Sequence, residues 1–135
     1  MKNSILILSL ITALFAVSAC STNDPSTENI GVKKVDAAAA KTLFDRAVPF
    51  VDLLGSSYDD GHIPGAVHLD WNKSFSEVEL AKVAGKNQEV IFYCAGPTCY
   101  RSPKASRLAV SWGYEKVYHF RDGFPAWKSA GYPIE

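Results

Sequence analysis

Cysteine, arginine and a flexible loop between two regular elements are the parts of a nucleophilic anion site, and the chain carries them together. They occur in Tyr93-Cys94-Ala95-Gly96-Pro97-Thr98-Cys99-Tyr100-Arg101-Ser102-Pro103. A cysteine that ends a strand below a helix N-terminus, among unpaired backbone N–H groups and near an arginine, has its thiolate stabilised. Cys94 is placed to be such a nucleophile. Gly96 permits the backbone angles of a curved loop, and Arg101 supplies a permanent positive charge for an anionic substrate or product. The residues expected to form the anion loop are Ala95, Gly96, Thr98, Tyr100, Arg101 and Ser102. Lys104 and Arg107 recur on the following helix, where they extend the positive mouth or lie in solvent. Cys99 is a second thiol five residues after Cys94, and in an oxidising compartment two such thiols pair. A strand-end cysteine also packs as a small hydrophobe, so the loop alone leaves the matter open.

Positioning this loop requires a strand before it and a helix after it, and the flanking patterns predict both. Short apolar runs alternate with helical patterns, which predicts an α/β domain with a largely parallel sheet. Strands are expected near 32–35, 50–54, 66–69, 90–94 and 116–119. Asp36 is suited to cap a helix over 37–46, with Leu43 and Phe44 facing the core. A second helix is expected over 74–84, closed by Gly85 in a left-handed turn. A third runs over 102–112, with Ser102 as N-cap, Pro103 at the first helical position and Gly113 after its end. The last lies near 124–130, followed by Gly131 and Pro133. Cys94 therefore falls at the carboxyl end of a strand, where ligands bind in open α/β sheets.

The chain has 135 residues and is 47% hydrophobic, enough for one domain with its own core. No basic run with interleaved aromatics appears, so no nucleic-acid partner is expected. The Lys33-Lys34 pair reads as a solvated strand end. No second CxxC or HxxxH accompanies the two loop cysteines, and His62, His68 and His119 are scattered, so no metal is expected.

Residues 1–19 read as a signal peptide. Lys2 precedes the uncharged run 5–17, which is too short to span a membrane comfortably and ends in small residues. Val17-Ser18-Ala19-Cys20 resembles the lipobox of bacterial lipoproteins, in which the cysteine becomes the lipidated N-terminus. Cys20 is accordingly expected to be a membrane anchor, 20–29 a flexible linker, and 30–135 the folded domain. Ser21 after the cysteine implies outer-membrane sorting, on the periplasmic side. Beyond Lys2, thirteen basic and fourteen acidic side chains remain, close to balance.

Five segments in order resemble the single-domain rhodaneses: Phe50-Val51-Asp52-Leu53-Leu54, Gly61-His62-Ile63-Pro64-Gly65-Ala66-Val67-His68-Leu69, Val90-Ile91-Phe92-Tyr93-Cys94, Gly113-Tyr114-Glu115-Lys116-Val117-Tyr118 and Gly123-Phe124-Pro125-Ala126-Trp127. The resemblance spans about 100 residues and GHIPGA is its most specific element. It implies an open, mostly parallel five-stranded sheet with helices on both faces. It also implies a sulfurtransferase in which Cys94 takes sulfur from a sulfane donor such as thiosulfate. The sulfur is held as a persulfide and passed to a thiol or cyanide, with no cofactor and as a monomeric domain. Asp52 would support the site, His62 and His68 would be structural, and Phe124 and Trp127 would pack the core or a lid.

Three departures from the family pattern stand out. Six residues separate Cys94 from Arg101 where four are usual, and Pro97 removes one N–H donor. Leu54 replaces an arginine often found two residues after the strand aspartate, so Asp52 is expected to lose a partner. Cys99 inside the loop could attack a persulfide on Cys94, releasing sulfide and leaving a disulfide. Three rival functions fit parts of the pattern. A cysteine phosphatase would need five residues between Cys and Arg. A dithiol redox protein would use Cys94 and Cys99 together, and a non-catalytic module would only bind an anion or partner in the loop.

Overall fold

The computed structural model describes residues 31–135, so the expected signal, the anchor Cys20 and the linker lie outside the described residues. Five strands, β1 (Val32–Val35), β2 (Phe50–Asp52), β3 (Val67–His68), β4 (Glu89–Tyr93) and β5 (Lys116–Phe120), form one sheet in the order β1-β5-β4-β2-β3. Every pairing is parallel. All five carboxyl ends therefore lie along one edge, with β4 at the centre.

Four helices cover the sheet: α1 (Ala37–Asp45), α2 (Glu77–Ala81), α3 (Arg101–Ser111) and α4 (Gly123–Ser129). On one face α1 and α4 bring Leu43 and Trp127 against Phe50, Ile91, Tyr93 and Phe120. On the other, α2 and α3 bring Leu80, Ala105 and Ala109 against Val51, Leu53, Val90 and Phe92. The alternation along β4 produces this division, because successive strand side chains point to opposite faces. A strand covered on both sides needs apolar residues at every position, and Val90 to Tyr93 are all buried. Trp127, fully buried, packs edge-on against Phe44, Phe50 and Tyr132, while its Nε1–H donates to the Pro133 carbonyl at 2.6 Å. Burying a large apolar side chain of this kind contributes about 1.5–3 kcal/mol.

The Asp36 cap is formed, with its carboxylate accepting from the Ala39 N–H at 2.8 Å. The second helix is shorter than its pattern predicts. Asp70 first gathers the amides of Lys73, Ser74 and Phe75 on its carbonyl, which folds a turn, and Ser76 then caps α2 by accepting from Glu79 N. Gly85 does not adopt a left-handed conformation; its N–H instead donates to the Gln88 side chain at 2.6 Å. A short 3-10 helix, Gly55–Asp60, occupies a stretch with no predicted element. Its polar sequence has no apolar periodicity, and only Gly61, at φ 133°, marks its end.

Candidate functional site

Cys94 emerges from the central strand with 1% of its surface exposed. Its sulfur is bonded to that of Cys99, and the two Cα atoms stand 6.4 Å apart. That separation lies within the ordinary disulfide span of about 4.4–6.8 Å. The loop makes the pairing by turning back on itself: the Gly96 carbonyl accepts from Cys99 N at 3.1 Å, with Pro97 and Thr98 at the bend. Gly96 holds φ 133°, a conformation that other residues rarely adopt. The two residues by which the loop exceeds the family pattern are thus used to carry a thiol back to the strand end. Cys99 is half-buried and packs against the same apolar cluster as Cys94.

The start of α4 closes the loop from the other side. Phe124 N–H donates to the Cys94 carbonyl at 3.0 Å, and Gly123, at φ 62°, lies directly beneath. A Cβ on Gly123 would overlap the Cys94 carbonyl oxygen and stand 3.0 Å from Gly96 N. Sequence reasoning credits Phe124 and Trp127 with packing and misses Gly123. The glycine after β5 is visible in the chain, but the strand end it must touch is folded against it from 29 residues away.

The amides of Ala95, Gly96, Thr98, Tyr100, Arg101 and Ser102 make no hydrogen bond to a carbonyl among the described residues. Several lie in the loop and the rest in the open first turn of α3, so they remain donors for an anion. Arg101 is half-buried, and its guanidinium reaches Gly55, where a Cβ would stand 2.9 Å from Nη1. Among the described residues no carboxylate forms an ion pair with it, so its charge is available to a bound anion. Tyr100 is exposed, with Lys104 5.0 Å from its ring centre, and Arg107 is exposed one turn on.

Ser102 differs from its expected role. Tyr100 occupies the N-cap position of α3 without a side-chain cap, and Ser102 lies inside the helix, buried. Its hydroxyl pairs with His119 Nε2 at 3.1 Å across the gap to β5. The reason is register: a side chain in this first turn faces the sheet, and His119 is the polar group it meets there. Burial, with the charges of Lys34, Arg107 and Arg121, lowers the His119 pKa to about 4. The pair holds the first turn of α3, next to Arg101, onto the sheet.

Asp52 is fully buried on the face opposite to Cys94, among the Tyr93 layer. Its Oδ1 accepts from Leu54 N at 2.7 Å and lies 3.6 Å from His68 Nδ1, while Oδ2 has no hydrogen-bond partner among the described residues. Burial holds the Asp52 carboxyl above its usual range, against the lowering influence of Tyr93, the Leu54 amide and His68. Leu54, in place of the family arginine, is buried. Asp52 therefore shapes the end of β2, whose Leu53 carbonyl lies 3.7 Å from Cys94 Sγ, and does not itself face the loop. Tyr58 stacks on His62 at 3.8 Å between ring centres and lies tilted by 38° against His68 at 4.4 Å, which gives both histidines packing roles. A hollow of about 530 Å³ lined by Arg46, Glu89 and Lys116 lies at the opposite edge of the sheet, away from these groups.

The fold and this site can be set beside known proteins. The family model for the rhodanese-like domain matches residues 36–130. A thiosulfate sulfurtransferase, GlpE of Pseudomonas fluorescens, is 29% identical over 76% of this chain and 90% of its own length. An HTH-type transcriptional regulator of Mycobacterium tuberculosis is 35% identical over 58% of this chain, which spans about a third (33%) of that regulator. Among solved structures, the rhodanese-like domain of the Alr3790 protein from Anabaena superposes with a TM-score of 0.63 at 30% identity, covering 76% of this chain and 77% of that one. With the matched residues taking in β2 to β5, the loop and all four helices, the chain belongs to the rhodanese-like domain family.

Proposed function

We propose that the protein is a sulfurtransferase that moves sulfane sulfur from a small anionic donor such as thiosulfate, through Cys94, to a thiol or cyanide acceptor. The supporting observation is the position of Cys94 at the end of the central strand, beneath a loop whose free amides and Arg101 suit an anion. With the disulfide opened, the Cys94 thiolate attacks the sulfane sulfur of thiosulfate. The sulfur–sulfur bond of the donor breaks, sulfite leaves with the electron pair, and a persulfide anion remains on Cys94. The amides and the guanidinium offset its negative charge. An acceptor nucleophile then takes the terminal sulfur and regenerates the Cys94 thiolate.

The test is thiocyanate production from thiosulfate and cyanide by the reduced protein. With a dithiol present to reopen the Cys94–Cys99 bond, wild type is expected to turn over and Cys94→Ser to fall to the uncatalysed rate. A Cys94→Ser protein with undiminished turnover would remove Cys94 from the chemistry. Turnover of a phosphate ester with none of thiosulfate would instead make the protein a phosphatase. The Cys94–Cys99 disulfide favours one second reading, a dithiol redox protein. That reading expects disulfide exchange with other proteins and no persulfide on either cysteine. The reading extends to export and lipid anchoring through Cys20, for which Cys20→Ser should shift the protein from the membrane fraction to the soluble one.

A further inference from the structure

The acceptor in the scheme above is an external thiol, yet the fold already holds one against Cys94. Among the described residues Cys99 is the second cysteine, and its sulfur reaches Cys94 Sγ through a turn fixed by the Cys99 N–H to Gly96 carbonyl bond. In the closed state Cys94 is 1% exposed, so neither donor nor acceptor reaches it until the bond opens. A thiol held at bonding distance competes with dissolved acceptors at a high effective concentration. We infer that Cys99 resolves the Cys94 persulfide, making the enzyme a thiol-dependent sulfane reductase that releases sulfide. This rests on Cys94 being the sulfur acceptor.

The steps balance. Thiosulfate converts the Cys94 thiolate to a persulfide and departs as sulfite. The Cys99 thiol passes its proton through solvent to the outer sulfur of the persulfide, and the Cys99 sulfur attacks Cys94 Sγ. The Cys94–Cys99 bond forms as the bond to the outer sulfur breaks, and that sulfur leaves with the electron pair as hydrosulfide. The sulfane sulfur is reduced by two electrons, which the two cysteine sulfurs supply. The structure described here then corresponds to the product state of each turnover. An external dithiol restores the enzyme: its first sulfur attacks Cys99, the more open of the pair, expelling the Cys94 thiolate, and its second frees Cys99. Net, thiosulfate and a dithiol become sulfite, hydrosulfide and a disulfide. On this account the lengthened loop serves the reaction, and Pro97 and Gly96 set the turn that returns Cys99.

The experiment is a single turnover without oxygen. The full chain is reduced, freed of reductant and given thiosulfate, and sulfite, sulfide and the masses of the loop peptides are measured. Wild type is expected to release sulfite and sulfide in equal amounts, matched by the Cys94–Cys99 disulfide. Cys99→Ser is expected to release sulfite alone, to keep one extra sulfur on the Cys94 peptide, and to yield thiocyanate when cyanide is added. That last readout, repeated with Cys99→Ala, shows that the variants are folded. Sulfite with a stable persulfide in wild type would overturn the resolving role while leaving the sulfurtransferase reading intact. Sulfide released by Cys99→Ser as fast as by wild type would overturn it too. Absence of sulfite from wild type would overturn both readings together.

Discussion

Tyr93 and Cys94 are neighbours in the chain and face opposite layers of the molecule, one sealed and the other reactive. Below the sheet, Tyr93 meets the fully buried Asp52 and accepts from Ile63 N at 3.1 Å. Above it, Cys94 ends in a bond that chemistry can open, under a loop with unused amides. The buried titratable group of each layer also behaves in the opposite way. Asp52 has its pKa raised by burial, and His119 has its pKa lowered by burial. Desolvation penalises the charged form in both, so it raises the pKa of the carboxyl and lowers that of the imidazole. The lesson is that one layer fixes the backbone at the ends of β2 and β4, and the other uses that fixed edge to hold sulfur.

Four substitutions separate the layers. The largest effect is expected for Cys94→Ser: several orders of magnitude in thiocyanate production, with the Tyr93 layer unchanged and near-UV circular dichroism preserved. Gly123→Ala comes next because it joins the layers, forcing a methyl into the Cys94 carbonyl at a left-handed φ. It should cost about 3 kcal/mol in chemical denaturation and lower sulfur transfer with it.

His119→Gln acts on the reactive layer alone and through pH. Because the folded pKa of about 4 lies below the unfolded 6.5, the unfolded chain binds more protons between those values. The wild-type contribution is therefore present above pH 6.5 and lost as pH falls toward 4, amounting to about 3 kcal/mol. Denaturation at pH 7 and pH 4.5 should show a smaller loss for the variant, and an unchanged loss would mean His119 is protonated in the fold. Asp52→Asn is expected to have the smallest effect and the opposite sign. A raised folded pKa means the folded chain binds more protons, so wild type loses stability as pH rises above 3.8 through the folded value. The variant should flatten that slope while keeping the Leu54 N–H bond through its amide oxygen, and a steeper slope would reverse the assignment.

Much of this arrangement was legible in the chain because it is local. The Asp36 cap, the apolar run that becomes β4 and the glycines after α3 and α4 each depend on residues within a turn or two of one another. The placement of Cys94 at a strand end followed from the same patterns. Ser102 was misread for a local reason as well: Ser-Pro is a common helix start, but the tertiary contact with His119 draws its hydroxyl inward. The family resemblance implies that Asp52 supports the site, whereas the two-residue period of the strand turns it to the face opposite Cys94. Gly85 lost its expected turn to a side-chain bond from Gln88.

The sequence by itself determined an α/β domain, its family, the strand that ends in Cys94 and the presence of two thiols five residues apart. Periodicity, caps and turn residues act through near neighbours, and those are written in order along the chain. Tertiary structure decided that Cys99 folds back onto Cys94, that Gly123 lies against the Cys94 carbonyl, and that Arg101 reaches Gly55. These contacts depend on how separated segments pack at the sheet edge, where a shift of one residue in register would replace every one of them.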